Sequence, residues 1–189
     1  MANISVFCGS SVGSRSVFRE AAEAVGRQIA REGHRLVYGG GHVGLMGAVA
    51  DAVIDSGGEV IGVITEQLRD LELAHVGLTE LEVTDHMHSR KARMAELSDG
   101  VIVLPGGFGT LDEMFEILTW NQLGIVSVPV VLFDIDGYYG ALFDFVDTVV
   151  DAGFMRPTHG DLLQRAGSAD EAVALATTPA AGYVPKWVN

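Results

Sequence analysis

The sequence is poor in cysteine and in positive charge. Cys8 is the single cysteine among 189 residues, so neither an internal disulfide nor a thiolate metal cluster can form. Lys and Arg number 12 against 25 Asp and Glu, which gives a formal net charge of −13. Nucleic-acid binding draws on clustered positive charge, so this balance argues against a polyanionic partner. A small phosphorylated ligand is still compatible, because backbone N–H groups at helix N-termini supply local positive potential.

Long apolar runs are also missing. No stretch approaches the roughly 18 continuous apolar residues of a membrane span, and the opening MANISVFCGS lacks the features of a signal peptide. We therefore expect a cytoplasmic protein without membrane contact. The length of 189 residues fits one domain over 1–189. From about residue 177, Pro179, Gly182 and Pro185 predict an irregular tail.

Short β-branched segments alternate with longer helical patterns along the chain. Predicted strands such as ISVFCG and VPVVLFD separate helices predicted over 14–32, 43–56, 110–122 and 138–152. A short helix or loop in 66–80 precedes a small strand near 80–83. This alternation predicts an α/β fold, namely a single-domain Rossmann-like, doubly wound parallel sheet with helices on both faces. The strands are apolar throughout, as expected when both faces are covered.

Three predicted strands run into glycine-rich turns, at residues 9–13, 39–41 and 106–109. In open α/β sheets the ligand crevice lies at the carboxyl ends of the strands, so these turns should meet around one site. The alternative is that the glycines only close tight turns. Under the functional interpretation, ligand contacts come from the backbone of the turns and from the Ser10 hydroxyl, that is, from Gly9, Ser10, Gly40 and Gly41.

The segment GGGHVG matches the dinucleotide fingerprint G-x-G-x-x-G through Gly39, Gly41 and Gly44. An acidic residue should end the next strand, whereas EVIGVITEQ reaches Glu66 only just beyond it. An NAD-dependent oxidoreductase is therefore a weaker alternative. No Gly-Lys-Ser/Thr triplet occurs, so a Walker A loop is excluded.

A helix predicted over 86–98 places Arg90 among methionines on its apolar face. A guanidinium stays charged, so a buried Arg90 needs an anionic partner, unless it snorkels to water or forms a purely structural ion pair. Lys91 and Arg93 complete the densest positive cluster of the chain. His86 and His88, two residues apart, point to different sides of a helix, so we predict no metal site.

The helix after PGGFG carries Glu113, Glu116 and Trp120 on one face, opposite a predicted core stripe of Leu111, Met114, Phe115 and Leu118. Glu113 and Glu116 thus join the candidate site residues. An alternative for Glu113 is a capping box, in which Thr110 caps the helix and Glu113 binds back to it. Glu116 has the alternative of an ordinary solvated charge.

The segments MHSRKARM (87–94) and PGGFGTLDE (105–113) together resemble the paired signature of the Lonely Guy family. The likeness covers most of the first 140 residues. It implies hydrolysis of the N-glycosidic bond in adenosine-type nucleoside 5'-monophosphates, plain or N6-prenylated, releasing the base and ribose 5-phosphate. It implies no cofactor, and a homodimer whose interface borders the site.

The same resemblance assigns catalytic roles to Arg90 and Glu113. It implies nucleotide contacts from Glu72, Lys91, Gly106, Gly107, Phe108, Gly109, Thr110 and Thr119. Phe108 stands where the family more often has Tyr, so a hydroxyl contact is not expected there. A nucleotide-binding or sensing protein without turnover is the alternative from another class. Lysine decarboxylation, a label given to such proteins, needs a Schiff-base lysine, and the chain has only Lys91 and Lys186.

Overall fold

The computed structural model describes residues 1–71 and 73–179, which form one parallel sheet covered by helices on both faces. The strands are β1 (Asn3–Phe7), β2 (Arg35–Tyr38), β3 (Glu59–Thr65), β4 (Glu80–Thr84), β5 (Gly100–Val103), β6 (Val130–Phe133) and β7 (Leu163–Ala166). The α-helices are α1 (Ser16–Arg31), α2 (Gly44–Asp55), α3 (Glu66–Asp70), α4 (Met87–Leu97), α5 (Phe108–Leu123), α6 (Gly140–Asp151), α7 (Pro157–Gly160) and α8 (Ala169–Ala176).

The strand order is β4-β3-β2-β1-β5-β6-β7, and every pairing is parallel. This confirms the predicted Rossmann-like, doubly wound class. After β1 the chain builds the sheet toward β4 and then returns to place β5 on the other side of β1. The order therefore reverses between β1 and β5, and a crevice opens at the carboxyl ends of these two strands.

Two apolar clusters hold the helices onto the sheet. The first joins one face of the sheet to α1, α2 and α8, and the second joins the opposite face to α4, α5 and α6. The central strand β5, with the sequence GVIV, is buried at all four residues because helices cover both of its sides. Packing on both faces fixes the positions from which the site residues project.

The predicted helices and the small strand near 80–83 are confirmed to within a few residues. The elements β7, α7 and α8 were not predicted. β7 reads LQRA, without β-branched residues, and α8 has only eight residues, so neither carries a clear periodic signal. The predicted tail begins at about residue 177, and its part beyond residue 179 lies outside the described residues. Within the described part of the chain, no helix is long and apolar enough to cross a membrane.

Candidate active site

The three glycine turns meet at the carboxyl ends of β1, β2 and β5, as predicted. Gly9 N–H donates to the Pro105 carbonyl (3.0 Å), and the Gly9 carbonyl accepts from Leu45 N–H (3.0 Å) at the start of α2. Gly44 has a φ of +64°, and a Cβ there would lie 2.2 Å from the Ser10 carbonyl carbon. Glycine is thus required for this close approach of two backbones.

The turns surround a cavity of about 460 Å³, within the usual size range of small-molecule sites. Its wall contains nine of the predicted site residues: Gly9, Ser10, Gly41, Arg90, Gly107, Phe108, Gly109, Thr110 and Glu113. Five others do not line it: Gly40, Lys91, Gly106, Glu116 and Thr119. Glu72 lies outside the described residues.

Arg90 crosses from α4 into the cavity wall and is only 7% exposed. Its Nε donates to the Val63 carbonyl (2.9 Å), and its Nη2 to the Gly39 carbonyl (3.3 Å). Its Nη1 donates to Glu113 Oε1 (3.0 Å). The anionic partner expected for a buried Arg90 is therefore present, and snorkelling to water is excluded. Three fixed acceptors orient the guanidinium at the junction of β2, β3 and α5.

Glu113 projects from the second turn of α5 and ends against Arg90. Burial raises the pKa of its carboxyl group, and the charge of Arg90 opposes that rise. The capping-box alternative is wrong, because α5 begins at Phe108 with Gly107 as the N-cap. Thr110 therefore lies inside the first turn, where it is buried. The Glu113 side chain therefore does not cap α5 and lines the cavity instead.

The N-terminus of α5 points into the same cavity. Its first helical hydrogen bond runs from Leu111 N–H to the Gly107 carbonyl (3.1 Å). The preceding N–H groups, from Gly107 to Thr110, therefore have no acceptor within the helix and form an anion cradle. Cradle and carboxylate line one cavity, so a single ligand with a phosphate and a developing positive charge could contact both.

Two tyrosines that sequence reasoning missed support the loop before α5. Tyr138 Oη donates to the Gly106 carbonyl (2.8 Å), and Tyr139 Oη donates to the Leu104 carbonyl (2.7 Å). Gly106 itself lies behind the cavity wall, where a Cβ would come within 2.0 Å of Thr110 Oγ1. The tyrosines stand in the segment VLFDIDGYY, within the first 140 residues over which the family resemblance runs, and no role was predicted for them.

The apolar part of the cavity wall was not predicted either. It contains Val43, Met46, Ile64, Leu68, Leu73 and Met87. These residues belong to four separate segments, so no local pattern in the sequence groups them. Cys8 lines the cavity as well, but burial, followed by the charge of Glu113, raises the pKa of its thiol, which disfavours a thiolate nucleophile.

Lys91 and Thr119 point away from this cavity. The Lys91 ammonium lies 3.0 Å from Asp112 Oδ2 and 3.2 Å from Glu116 Oε2, which explains why neither Lys91 nor Glu116 lines the wall. Thr119 donates to the Phe115 carbonyl (2.7 Å) and lines a separate groove. Gly40, with a φ of +72°, packs against Ile64 and shapes the turn without reaching the cavity wall. These placements do not support the predicted nucleotide contacts of the four residues.

The predicted faces of α5 need two further corrections. Phe115 was assigned to the core and is 43% exposed, whereas Trp120 packs partly buried against the second apolar cluster. The buried stripe runs through Met114, Ile117 and Asn121 instead. Asn121 is polar, so an apolar periodicity does not reveal that it is buried. Its amide group accepts a hydrogen bond from Val128 N–H and donates one to the Val128 carbonyl.

Within residues 1–71 and 73–179, no three His, Cys, Asp or Glu side chains are grouped so that they could hold a metal ion. His86 has a structural role, because its Nδ1 accepts from Ser89 N–H (3.1 Å) and so caps α4.

Gly39→Ala should impair the site by displacing Arg90. A Cβ at position 39 would lie 2.2 Å from Arg90 Nη2, so the guanidinium would have to leave the Gly39 and Val63 carbonyls. We expect at least a roughly tenfold loss of activity from such a misplacement. Gly140→Ala is the matched control, since a Cβ there meets nothing within 4 Å. Equal activity of the two variants in a base-release assay would contradict this interpretation of Arg90.

Comparison with known proteins places this site in a family. A model described as "Possible lysine decarboxylase" matches residues 46–176. A cytokinin riboside 5'-monophosphate phosphoribohydrolase of Arabidopsis thaliana is 46% identical over 90% of this chain and 79% of its own length. The enzyme of the same name from Rhodococcoides fascians is 49% identical over 82% of this chain and 79% of its own.

Among solved structures, the molybdenum cofactor binding protein of Rippkaea orientalis has a TM-score of 0.71 at 23% identity and covers 92% of this chain and 94% of its own. That likeness concerns the fold alone. Fold and site together define a Rossmann-like α/β protein with a buried guanidinium paired to a half-buried carboxylate in the crevice at the carboxyl ends of its strands. The sequence relatives are more specific. The chain belongs to the Lonely Guy family of cytokinin riboside 5'-monophosphate phosphoribohydrolases.

Proposed function

We propose that this chain is an N-glycosyl hydrolase that cleaves adenosine-type nucleoside 5'-monophosphates, plain or N6-prenylated, into free base and ribose 5-phosphate. One observation carries the proposal: the buried pair of Arg90 and Glu113 shares a cavity with the free N–H groups at the start of α5. The names of the relatives support the same reaction. No cofactor is needed, because hydrolysis of this bond requires only water and fixed charges.

The phosphate lies on the N–H groups between Gly107 and Thr110, where the dipole of α5 favours negative charge. Ser10, in the wall beside these groups, offers a hydroxyl to the same anion. Anchoring the phosphate orients the ribose so that C1' faces Glu113. Orientation of this kind removes part of the entropic barrier before the bond breaks.

Glu113 acts where positive charge develops. Cleavage of a glycosidic bond passes through an oxocarbenium-like transition state, and a carboxylate near C1' or the 2'-hydroxyl stabilises it. The same carboxylate orients the water whose oxygen bonds to C1' and accepts one of its protons. The electron pair of the broken C1'–N bond leaves with the base, which takes up a proton from solvent water. Arg90 positions Glu113 by a hydrogen bond, because a guanidinium is not a proton donor suited to the departing base.

The apolar wall suits the base. Val43, Met46, Leu68 and Met87 offer apolar contact without fixed charge in the wall of the same cavity. A purine ring gains from such burial by roughly 25 cal/mol per Å² of apolar area. The preference between adenine and prenylated adenine is the part of the proposal that a substrate panel decides.

Two alternatives fit the structure less well. A dinucleotide site should follow the strand at the switch point, but GGGHVG follows β2 whereas the switch lies between β1 and β5. Lysine decarboxylation through pyridoxal phosphate would need a free lysine. The Lys91 ammonium is held by Asp112 and Glu116, and Lys186 lies outside the described residues.

A substrate panel tests the activity against the sensing alternative. The protein is incubated with AMP, N6-isopentenyl-AMP and adenosine, and free base and ribose 5-phosphate are quantified by chromatography. We expect base from both monophosphates and almost none from adenosine, which lacks the anchored group. Binding of AMP without release of base would identify a nucleotide sensor and overturn the proposal.

We further propose a cytoplasmic homodimer whose interface borders the site. A groove of about 140 Å³ beside α5 is lined by Phe115, Leu118, Val146, Met155 and Leu162. On neighbouring α6, Phe145 is 61% exposed. An apolar groove beside an exposed aromatic side chain is typical of a surface that contacts another protein. Because α5 carries both Phe115 and Glu113, a second copy on this groove would lie next to the cavity.

Sedimentation velocity should give about twice the 20.0 kDa chain mass. Phe115→Asp should shift the protein toward the monomer by placing a charge in the groove. Val76→Asp is the control, because Val76 is 86% exposed on a different segment. A wild-type monomer at micromolar concentration would contradict the dimer.

A further inference from the structure

Two ion-pair networks lie side by side between α4 and α5. Arg90 binds Glu113 (3.0 Å), and its neighbour Lys91 binds both Asp112 (3.0 Å) and Glu116 (3.2 Å). The Lys91 side chain is only 10% exposed. Arg90 and Lys91 therefore have separate carboxylate partners on α5, and no carboxylate is shared between the two.

Three carboxylates lie close together on this part of α5. Asp112 precedes Glu113 directly, and Glu116 follows it one helical turn later on the same side. Unbalanced, these two carboxylates would disfavour ionisation of Glu113 and would compete with it for Arg90. Lys91 pairs with both of them and offsets part of their combined charge. It is held close behind Glu113, because the two side chains line one small cavity together with Glu116 and Met94.

The charges that face Glu113 are consistent with this division. Burial raises the pKa of the Glu113 carboxyl group, the charges of Arg90 and Lys91 on α4 oppose that rise, and Asp112 of α5 adds to it. Cys8, at the end of β1, holds its proton because burial raises its pKa. Burial alone would lower the pKa of Lys91, but its hydrogen bonds to Asp112 and Glu116 outweigh that effect. Lys91 thus stays charged across the working pH range.

We propose that Lys91 is a positioning residue that occupies Asp112 and Glu116, so that Arg90 stays with Glu113 and Glu113 stays ionised, and that Lys91 makes no contact with the nucleotide. The inference rests on the proposed hydrolase function. It reassigns Lys91 from the substrate contact implied by the family resemblance to a charge that acts through two other side chains.

The pH dependence of kcat/KM for base release tests this role. In Lys91→Met the acid limb should move to higher pH, since the uncompensated carboxylates make Glu113 harder to ionise. A move of about one pH unit would cost roughly tenfold in rate below the limb. KM at high pH should change little. Lys91→Arg should keep the wild-type profile. Arg93→Met is the matched control, because Arg93 on the same helix pairs with Glu82 and Glu96.

Removing the two carboxylates separates this role from direct substrate binding. If Lys91 acts only through Asp112 and Glu116, then Lys91→Met in an Asp112→Asn/Glu116→Gln background should restore the acid limb to near its wild-type position. This triple variant leaves no buried carboxylate unpaired, so it also covers the case in which Lys91→Met alone fails to fold.

Three outcomes overturn the inference. They are an unshifted acid limb in Lys91→Met, a triple variant as impaired as Lys91→Met, or a large rise in KM that the triple variant retains. The last would show that Lys91 holds the nucleotide. A wild-type protein that releases no base at any pH would instead refute the hydrolase function itself, so the two failures are distinguishable.

Discussion

Glu113→Gln is expected to lower kcat for base release from AMP or its N6-prenylated analogue by about 100-fold or more. Gln keeps the size of the side chain and can still accept the hydrogen bond of Arg90, but it offers no negative charge to the oxocarbenium-like transition state. Loss of one preorganised electrostatic partner typically costs about 10²–10³ in kcat. KM should change much less, because the phosphate cradle of α5 is untouched. Chromatographic initial rates give both parameters.

The wild-type rate should also fall on acidification at a pH above the ordinary carboxyl range. Glu113 must be ionised to act. Because burial raises its pKa, Glu113 becomes protonated at a higher pH than an exposed carboxylate does. Glu96→Gln is the control for Glu113→Gln and should keep the wild-type kcat, since the Glu96 side chain is 66% exposed. A Glu113→Gln variant with near wild-type kcat would refute the mechanism.

Arg90→Met is expected to lower both activity and the free energy of unfolding. Breaking a buried ion pair by removing one partner costs about 3–5 kcal/mol, because the remaining charge is left without compensation. The Val63 and Gly39 carbonyls would lose their donor as well. Urea denaturation measures the change. Arg19→Met, which removes an exposed pair with Glu23, should cost less than about 1 kcal/mol.

The double variant Arg90→Met/Glu113→Gln should recover part of that stability, because no buried charge then lacks a partner, while activity stays low. Stability would thus rise from the single to the double variant, whereas activity would not. If Arg90→Met were as stable as the wild type, or the double variant less stable than Arg90→Met, Arg90 could not be the buried partner of Glu113.

Much of the fold followed from local physics that a linear sequence displays. Apolar segments such as GVIV of β5 must be covered on both faces, and their alternation with helical patterns leaves few topologies other than a doubly wound sheet. The convergence of the glycine turns followed as well, because the carboxyl ends of parallel strands share one edge. Segments without a periodic signal, such as β7 and α8, could not be found in this way.

The candidate site was predictable where a residue's chemistry demanded a partner. Arg90 on an apolar face required an anion, and Glu113 was the acidic residue that the family motif offered. The apolar wall was not predictable, since Met46, Ile64 and Leu73 are brought together by packing alone. For the same reason Phe115 and Trp120 were assigned to the wrong faces of α5.

The sequence by itself determined the class of fold, the family and the two residues of opposite charge at the site's centre, because these depend on composition, periodicity and motif spacing. Only the tertiary structure decided what each charge contacts. Arg90 and Lys91 are adjacent in the chain, but successive residues of a helix point about 100° apart. One therefore reaches Glu113 in the cavity and the other reaches Asp112 and Glu116 behind it.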